Sequence, residues 1–575
     1  MKRVISLILC LMLVLGLATT AFADTVNVSN HTPDHTYRFY QVFDGDLSGT
    51  VLSNIGWGTG IDTTKTYDID GTPMTLIQAI NNLYGTSMET AKDVADYLTA
   101  STDAAVNKEN ANKLAHLLIH YMSGTFETLD AGETSVDVDP GYYLVLDATL
   151  DANLTDDARN PAMLKITGHE VAISAKYDVP ESDKKITNGL GENVGMFDYG
   201  DVVEFELTAT MPSTYLNMYD FYMMVMNDTM DSGLTLNNGS FKLYLNDALV
   251  TQATVSGDNY YTTAKETEHQ NWYVEIPGGT DTTFKVIIPD AFKIGAGEND
   301  TIKLTYSATV NETAEIHTSI PNKYWLEYSN SPNWFPTTER PTPPTGETPE
   351  QTVEVFTGGF VLNKADGDTK KPLTGAEFTL TGTDLNQVEV KTETVFVAYT
   401  DTNYDAGNKY WLLTDNTYTA VDPATPGIDT SSYANDGKIY KKIEGVETLM
   451  GAGTANVEIK SEVGADGKLS FSGLGPGTYT ITETKTPAGY NSIAPMKLTI
   501  VFNMEKYKNG QHPYEYNWSG VSDFTGNTVT VNNYTGSTLP ETGGMGTTLF
   551  YTVGGLMVAA AVILLITKKR MSAEV

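Results

Sequence analysis

The chain has 575 residues, 36 Lys and Arg against 72 Asp and Glu, and a formal net charge of −36. Its length suggests about three to five domains, and 41% hydrophobic residues excludes global disorder. So acidic a chain is repelled by phosphates, so no nucleic-acid partner is expected. The single cysteine, Cys10, lies in the first apolar run. Disulfides, Cys-ligated zinc, iron–sulfur clusters and a Cys nucleophile are thereby excluded from the rest of the chain.

Residues 1–23 read as a signal peptide. Lys2 and Arg3 precede the apolar run Val4 to Leu17, and Ala21-Phe22-Ala23 supplies a small-residue cleavage site. Residues 24–175 read as an α+β unit. Tyr37 to Phe43 and Gly141 to Leu146 are its strands, and helical stretches fall around 74–84, 88–99 and 108–122. Residues 176–331 alternate apolar and polar residues in runs such as Val202 to Leu207, Phe284 to Ile288 and Ile302 to Tyr306, the pattern of a β-sandwich. Residues 332–351 carry six prolines and read as a linker. Residues 352–535 read as a second β-sandwich with an insertion near 383–463. Residues 536–575 hold Leu539-Pro540-Glu541-Thr542-Gly543, then an apolar span at 549–566 long enough to cross a bilayer, then Lys568-Lys569-Arg570. The fold class is mainly β, with tandem Ig-like sandwiches after an α+β first domain.

Little in the chain resembles an external catalytic centre. His116 and His120 share a helix face, but no Glu occupies the metalloprotease position between them and no third histidine is near. They read as ordinary helix histidines, and no metal or cofactor is expected. Asp366-Gly367-Asp368 and Asp401 to Asp405 lack a full calcium-loop pattern and read as turns.

Side chains alternate along a strand, so Phe360, Leu362 and Lys364 share a face, which turns Lys364 into a core. Tyr479, Ile481 and Glu483 share a face in the same way, as do Val529, Val531 and Asn533. A lysine, a carboxyl and an asparagine buried together are costly as a plain network. Burial favours the neutral amine and the protonated acid. The amine can then attack the Asn carbonyl, expelling ammonia and leaving an amide between side chains. The alternative is a buried salt bridge with a hydrogen-bonded asparagine.

Residues 359–533 resemble a collagen-adhesin B-type domain of Gram-positive pilins. The resemblance rests on Phe360 to Asp366, Leu373 to Phe378, Phe471 to Tyr479, the segment around Glu483 and Val529-Thr530-Val531-Asn532-Asn533. It implies a Lys364–Asn533 isopeptide bond assisted by Glu483. Asn532 is the competing acceptor, and alternation favours Asn533. The middle unit resembles the A-type domain of the same family. Lys184 shares a face with Ile186, and Asn227 to Leu234 matches the segment that carries the assisting acid, which implies Asp228. Ile320-Pro321-Asn322 fits the acceptor segment best, with Asn311 and Asn330 left open.

The tail resembles a cell-wall sorting signal, in which a sortase cuts after the Thr, here Thr542, and releases Gly543 together with the apolar span and basic end. Lys176 occupies the place of the family's pilin-motif lysine, although the usual Tyr-Pro before it is Ser174-Ala175 here. The whole chain resembles a sortase-assembled Spa-type major pilin. The implied role is a structural shaft subunit, not an enzyme, whose Thr542 is joined to Lys176 of the next copy. The implied partners are pilus-type and housekeeping sortases, further copies of itself, minor pilins, peptidoglycan and host surface molecules. The implied location is the Gram-positive cell wall. A wall-anchored monomeric adhesin or a minor pilin is the other reading.

Overall fold

A computed structural model describes residues 24–29, 35–69, 71–148, 162–166, 170–172, 178–213, 216, 219–251, 271–277, 283–332, 344–382, 385–400, 404–451, 459–536 and 544–571. In the first unit, the sheet order is Val51–Trp57, Tyr37–Ser48, Gly141–Asp147, Ala162–Ile166. Alternation along Tyr37–Ser48 sends Tyr40 and Val42 to one face and Tyr37 and Phe39 to the other. The first face packs on the helices Leu76–Tyr84, Ala91–Leu98 and Ala104–Ile119, through Ile80, Val94, Leu114 and Leu118. The second face packs on Leu129, Val136 and Val138. Thr90 and Asp93 form a reciprocal capping box at the second helix, which satisfies donors that the helix start leaves unpaired. The third helix starts earlier than its apolar spacing indicates, because Asp103 caps it ahead of exposed first residues, Ala104 to Val106.

Two sheets face each other in the middle unit. One runs Glu181–Ile186, Val202–Thr210, Thr301–Val310, Lys242–Leu245, Ala248–Val250. The other runs Val194–Met196, Gln351–Phe356, Ile320–Ser329, Met224–Met230, Phe284–Ile288, Tyr273–Glu275. Burial alternates along the whole of Thr301–Val310, with Ile302, Leu304, Tyr306, Ala308 and Val310 inward. Fully burying each large apolar side chain is worth about 1.5–3 kcal/mol, so this interior is the main stabilising term of the unit.

The second boundary differs from the expected one. Gln351–Phe356 pairs with Ile320–Ser329, and Thr345–Glu347 pairs with the same strand. The later part of the expected 332–351 linker is therefore sheet of the middle sandwich, and that sandwich runs through Phe356. Val353 and Val355, just past the proline-rich stretch, are fully buried in the middle core, because a proline that cannot donate to a ladder does not stop the residues after it from rejoining the sheet.

The last sandwich has one sheet ordered Glu447–Gly451, Gln387–Lys391, Lys468–Leu474, Gly358–Asp366, Thr528–Asn533, Phe524–Thr525. Its second sheet is ordered Ile459–Glu462, Glu377–Gly382, Gly477–Lys485, Met496–Phe502, Tyr514–Ser519. Gly358–Asp366 and Thr528–Asn533 lie side by side and parallel, from Val361 opposite Thr528 to Asp366 opposite Asn533. The expected insertion is narrower than 383–463. Gln387–Lys391 and Glu447–Gly451 pair with each other within the main sheet, and the excursion between them carries two small sheets of its own.

The middle and last units meet at a close seam. Gly473 sits at φ +84°, and a Cβ there would lie 2.2 Å from the Tyr199 ring, so glycine is needed on both counts. Gly544–Met571 is one helix, and Tyr551–Lys569 within it is long and apolar enough to cross a membrane, with mean hydropathy 1.8.

Candidate bond-forming sites

Glu181–Ile186 is an edge strand whose Lys184 and Ile186 point inward while Lys185 points out. Asp228 and Asn322 project from neighbouring strands of the facing sheet. The structure thus brings together one lysine and two acceptors across the sandwich. Lys184 Nζ lies 2.6 Å from Asp228 Oδ2 and 2.6 Å from Asn322 Oδ1, and also donates to the Lys323 carbonyl at 3.2 Å. The three side chains are buried, and the Lys184 and Asp228 side chains are fully so. The rings of Phe205 and Tyr306 wall the amine at 5.5 and 5.8 Å from their centroids.

Burial sets the protonation here. It pushes Lys184 down to about 8 against the pull of Asp228, and it raises Asp228 despite the neighbouring amine. Asp228 Oδ1 has no partner among the described residues. A buried, unpaired carboxylate oxygen is costly, whereas a protonated one is much less so. Both shifts therefore favour the neutral pair, amine plus carboxylic acid.

Tyr306 belongs to the site although the sequence does not single it out. Its hydroxyl donates to Asp228 Oδ2 at 2.7 Å and accepts from Asn322 Nδ2 at 2.8 Å, bridging the acid to the amide nitrogen. In an alternating strand a tyrosine reads as core, and the hydroxyl's partners come from the other sheet. Of the other possible acceptors, Asn311 bonds to the Ser232 carbonyl and Thr235 in a turn, and the Asn330 amide has no hydrogen-bond partner among the described residues. Neither is among the groups bonded to the Lys184 amine.

In the last sandwich Lys364 is opposite Val531 in the parallel pair, and its Nζ donates to the Val531 carbonyl at 3.2 Å. Asn533 lies two residues further along the same buried face. Glu483 comes from the opposing sheet. Its Oε1 is 3.8 Å from Lys364 Nζ, and its two oxygens accept from Asn533 Nδ2 at 2.8 and 3.1 Å. Oε2 also accepts from the Ile493 N–H at 3.2 Å. Burial pushes Lys364 down to about 8. Asn533 Oδ1 is buried without a partner among the described residues. Turning that amide over places Oδ1 against the Glu483 carboxyl. Asn532 faces outward, donating to Asp523 and accepting from Lys370. Lys176 and Leu539, Pro540, Glu541, Thr542 and Gly543 lie outside the described residues.

Residues 436–511 match the SpaA family of prealbumin-like fold domains, and residues 532–572 match the LPXTG cell wall anchor motif. The trypsin-resistant surface T6 protein of Streptococcus pyogenes serotype M6 is 24% identical over 422 residues, covering 69% of this chain and 70% of that protein. Among solved structures, the T6 backbone pilin of serotype M6 S. pyogenes aligns over 91% of this chain and all of its own, with 15% identity and a TM-score of 0.46. The RrgB pilus protein of Streptococcus pneumoniae aligns over 91% of this chain and 99% of its own, with 14% identity and a TM-score of 0.40. The SpaA-type domain match, the wall-anchor motif and the 24% identity to the T6 protein mark this chain as similar to major pilins of the Gram-positive cell wall, which are structural subunits.

Proposed function

We propose that this shaft subunit is covalently closed in two places and covalently linked to its neighbours. Lys184 attacks Asn322 Cγ with Asp228 assisting, and Lys364 attacks Asn533 Cγ with Glu483 assisting. In each case the neutral Nζ forms the new C–N bond as the carboxylic acid polarises and protonates the amide. The bond to the original amide nitrogen then breaks, and ammonia leaves with the surplus proton. In the middle unit Tyr306 stands where it can pass the Asp228 proton to the departing nitrogen. The acid ends with its proton restored by the amine, so the step needs no oxidant, metal or cofactor.

Thr542 is the acyl donor to a sortase, and Lys176 of the next subunit is the amine that resolves the acyl-enzyme. A contact of this head-to-tail kind does not close on itself and builds a fibre. A housekeeping sortase would join the last subunit to peptidoglycan, and minor pilins and host surface molecules are the remaining partners. The single observation that carries the reading is the pair of 2.6 Å contacts from one buried lysine to an acid and an asparagine.

The test is the intact mass and peptide map of purified residues 24–542. Two lost ammonias, with crosslinked peptides joining Lys184 to Asn322 and Lys364 to Asn533, are expected. An unmodified mass would reduce both sites to polar networks. Lys176→Ala, with both internal bonds intact, should leave the chain on the cell as monomer. Unchanged polymer ladders from that variant would remove Lys176 from the linkage.

A further inference from the structure

The histidine pair on the third helix gains a partner that spacing along one helix cannot show. His116 and its C-cap neighbour His120 project from the same face one turn apart. Asp220 approaches from the middle unit, where buried Tyr219 and Tyr222 on either side fix its position. His116 Nε2 lies 3.0 Å from Asp220 Oδ1, and His120 Nε2 lies 3.8 Å from Asp220 Oδ2. One donor atom from each of the three residues falls within 4.8 Å of the others. Around a tetrahedral Zn²⁺ with bonds near 2.0–2.2 Å, donor atoms stand about 3.3 Å apart. The three groups are thus close to that spacing before any ion enters.

We propose that His116, His120 and Asp220 form a binding site for a divalent transition cation of the Zn²⁺ class, pinning the helical first unit to the middle sandwich. Two imidazoles and a carboxylate suit zinc better than calcium or magnesium, which take oxygen ligands. His120 is buried and stacked on Tyr67 at 3.8 Å between ring centroids, which fixes its plane. His116 Nδ1 has no hydrogen-bond partner among the described residues, so that ring is oriented through Nε2. The half-exposed Asp220 leaves the fourth position open to water and gives an ion its way in. Lys65 is the cationic group that opposes an ion at this place. With no cysteine outside the first apolar run, imidazole and carboxylate are the zinc ligands this chain can offer here.

The processed chain, residues 24–542, should be titrated with ZnCl2 by calorimetry, with Co²⁺ absorption as a coordination probe. One strong site per chain is expected, with the intense visible bands of a four-coordinate cobalt ion. Asp220→Asn should weaken it at least about tenfold, as should His116→Gln. Asp220 is on the surface, so its variant reports even if the helix variant folds poorly. No zinc uptake, or equal uptake by the Asp220→Asn chain, would overturn the proposal and leave a histidine pair with a surface ion contact.

Discussion

Asp228→Asn isolates the acid in the middle unit. The substitution keeps the side chain's shape and still offers an oxygen to Tyr306, but it cannot cycle a proton between Lys184 and the Asn322 amide. The crosslink should not form. Lys184 and Asn322 are 138 residues apart in sequence, and closing a loop of that size removes roughly 5 kcal/mol of unfolded-chain entropy. The unreacted lysine adds to the loss, because it stays fully buried beside Phe205 and Tyr306 without a carboxylate. For a sandwich of this size, 5 kcal/mol corresponds to roughly 10–20 °C in melting temperature. Intact mass should show one ammonia retained relative to the parent, and calorimetry should show the middle transition lowered while the last unit's transition holds. Two results would refute the reasoning. An Asp228→Asn chain that still loses both ammonias would remove the acid from the mechanism. A chain that lacks the bond yet melts within a few degrees of the parent would remove the bond from the stability.

Glu483→Gln should block the second bond and leave the first, since the triads sit in separate cores, and peptide mapping reads each independently. Tyr306→Phe should slow the first bond without abolishing it, because Asp228 still contacts the amine. A mass time course after refolding checks this, and an unchanged rate would make the hydroxyl a bystander. Asn533→Ala leaves Lys364 unreacted, with its folded pKa lowered to about 8 from 10.5. Between those values the unfolded chain holds the proton and the folded chain does not, so stability of the last unit should rise as pH climbs from about 8 to about 10.5. Denaturant melts across that window would show a flat profile if the lysine were not buried and neutral. Asp198 accepts from the Gly475 and Asn386 N–H groups at the seam of the middle and last units, and burial raises it to about 6. The folded chain therefore binds the extra proton between pH 3.8 and about 6, and this contribution weakens as pH rises through that range. Asp198→Asn should flatten that part of the pH–stability curve, and an identical curve for parent and variant would count against it.

Much of both triads was legible from alternation alone. Phe360, Leu362 and Lys364 had to share a face, and all three are buried. The same holds for Tyr479, Ile481 and Glu483, and for Val529, Val531 and Asn533. Alternation fixes which face a residue takes but not which facing strand lies across from it. Asp228 and Asn322 are therefore reached only through family resemblance, and Tyr306 reads as plain core. The boundary near 351 was displaced because proline marks a turn whether or not the chain then rejoins the sheet it left. Asp220 was invisible for a related reason. It belongs to a different unit from the histidines it meets, and no spacing rule spans 104 residues.

The parallel pairing of Gly358–Asp366 with Thr528–Asn533 determines how the last sandwich meets tension. Pull enters at the start of the first of these strands and leaves at the end of the second, so the two are drawn past each other lengthwise. The inter-strand hydrogen bonds are then strained together in shear, not opened singly from one end as in a peeled hairpin. The six residue pairs from Val361–Thr528 to Asp366–Asn533 must give way as a group before the core is exposed. Even with its lysine mutated, this unit should yield at one sharp force instead of unravelling gradually.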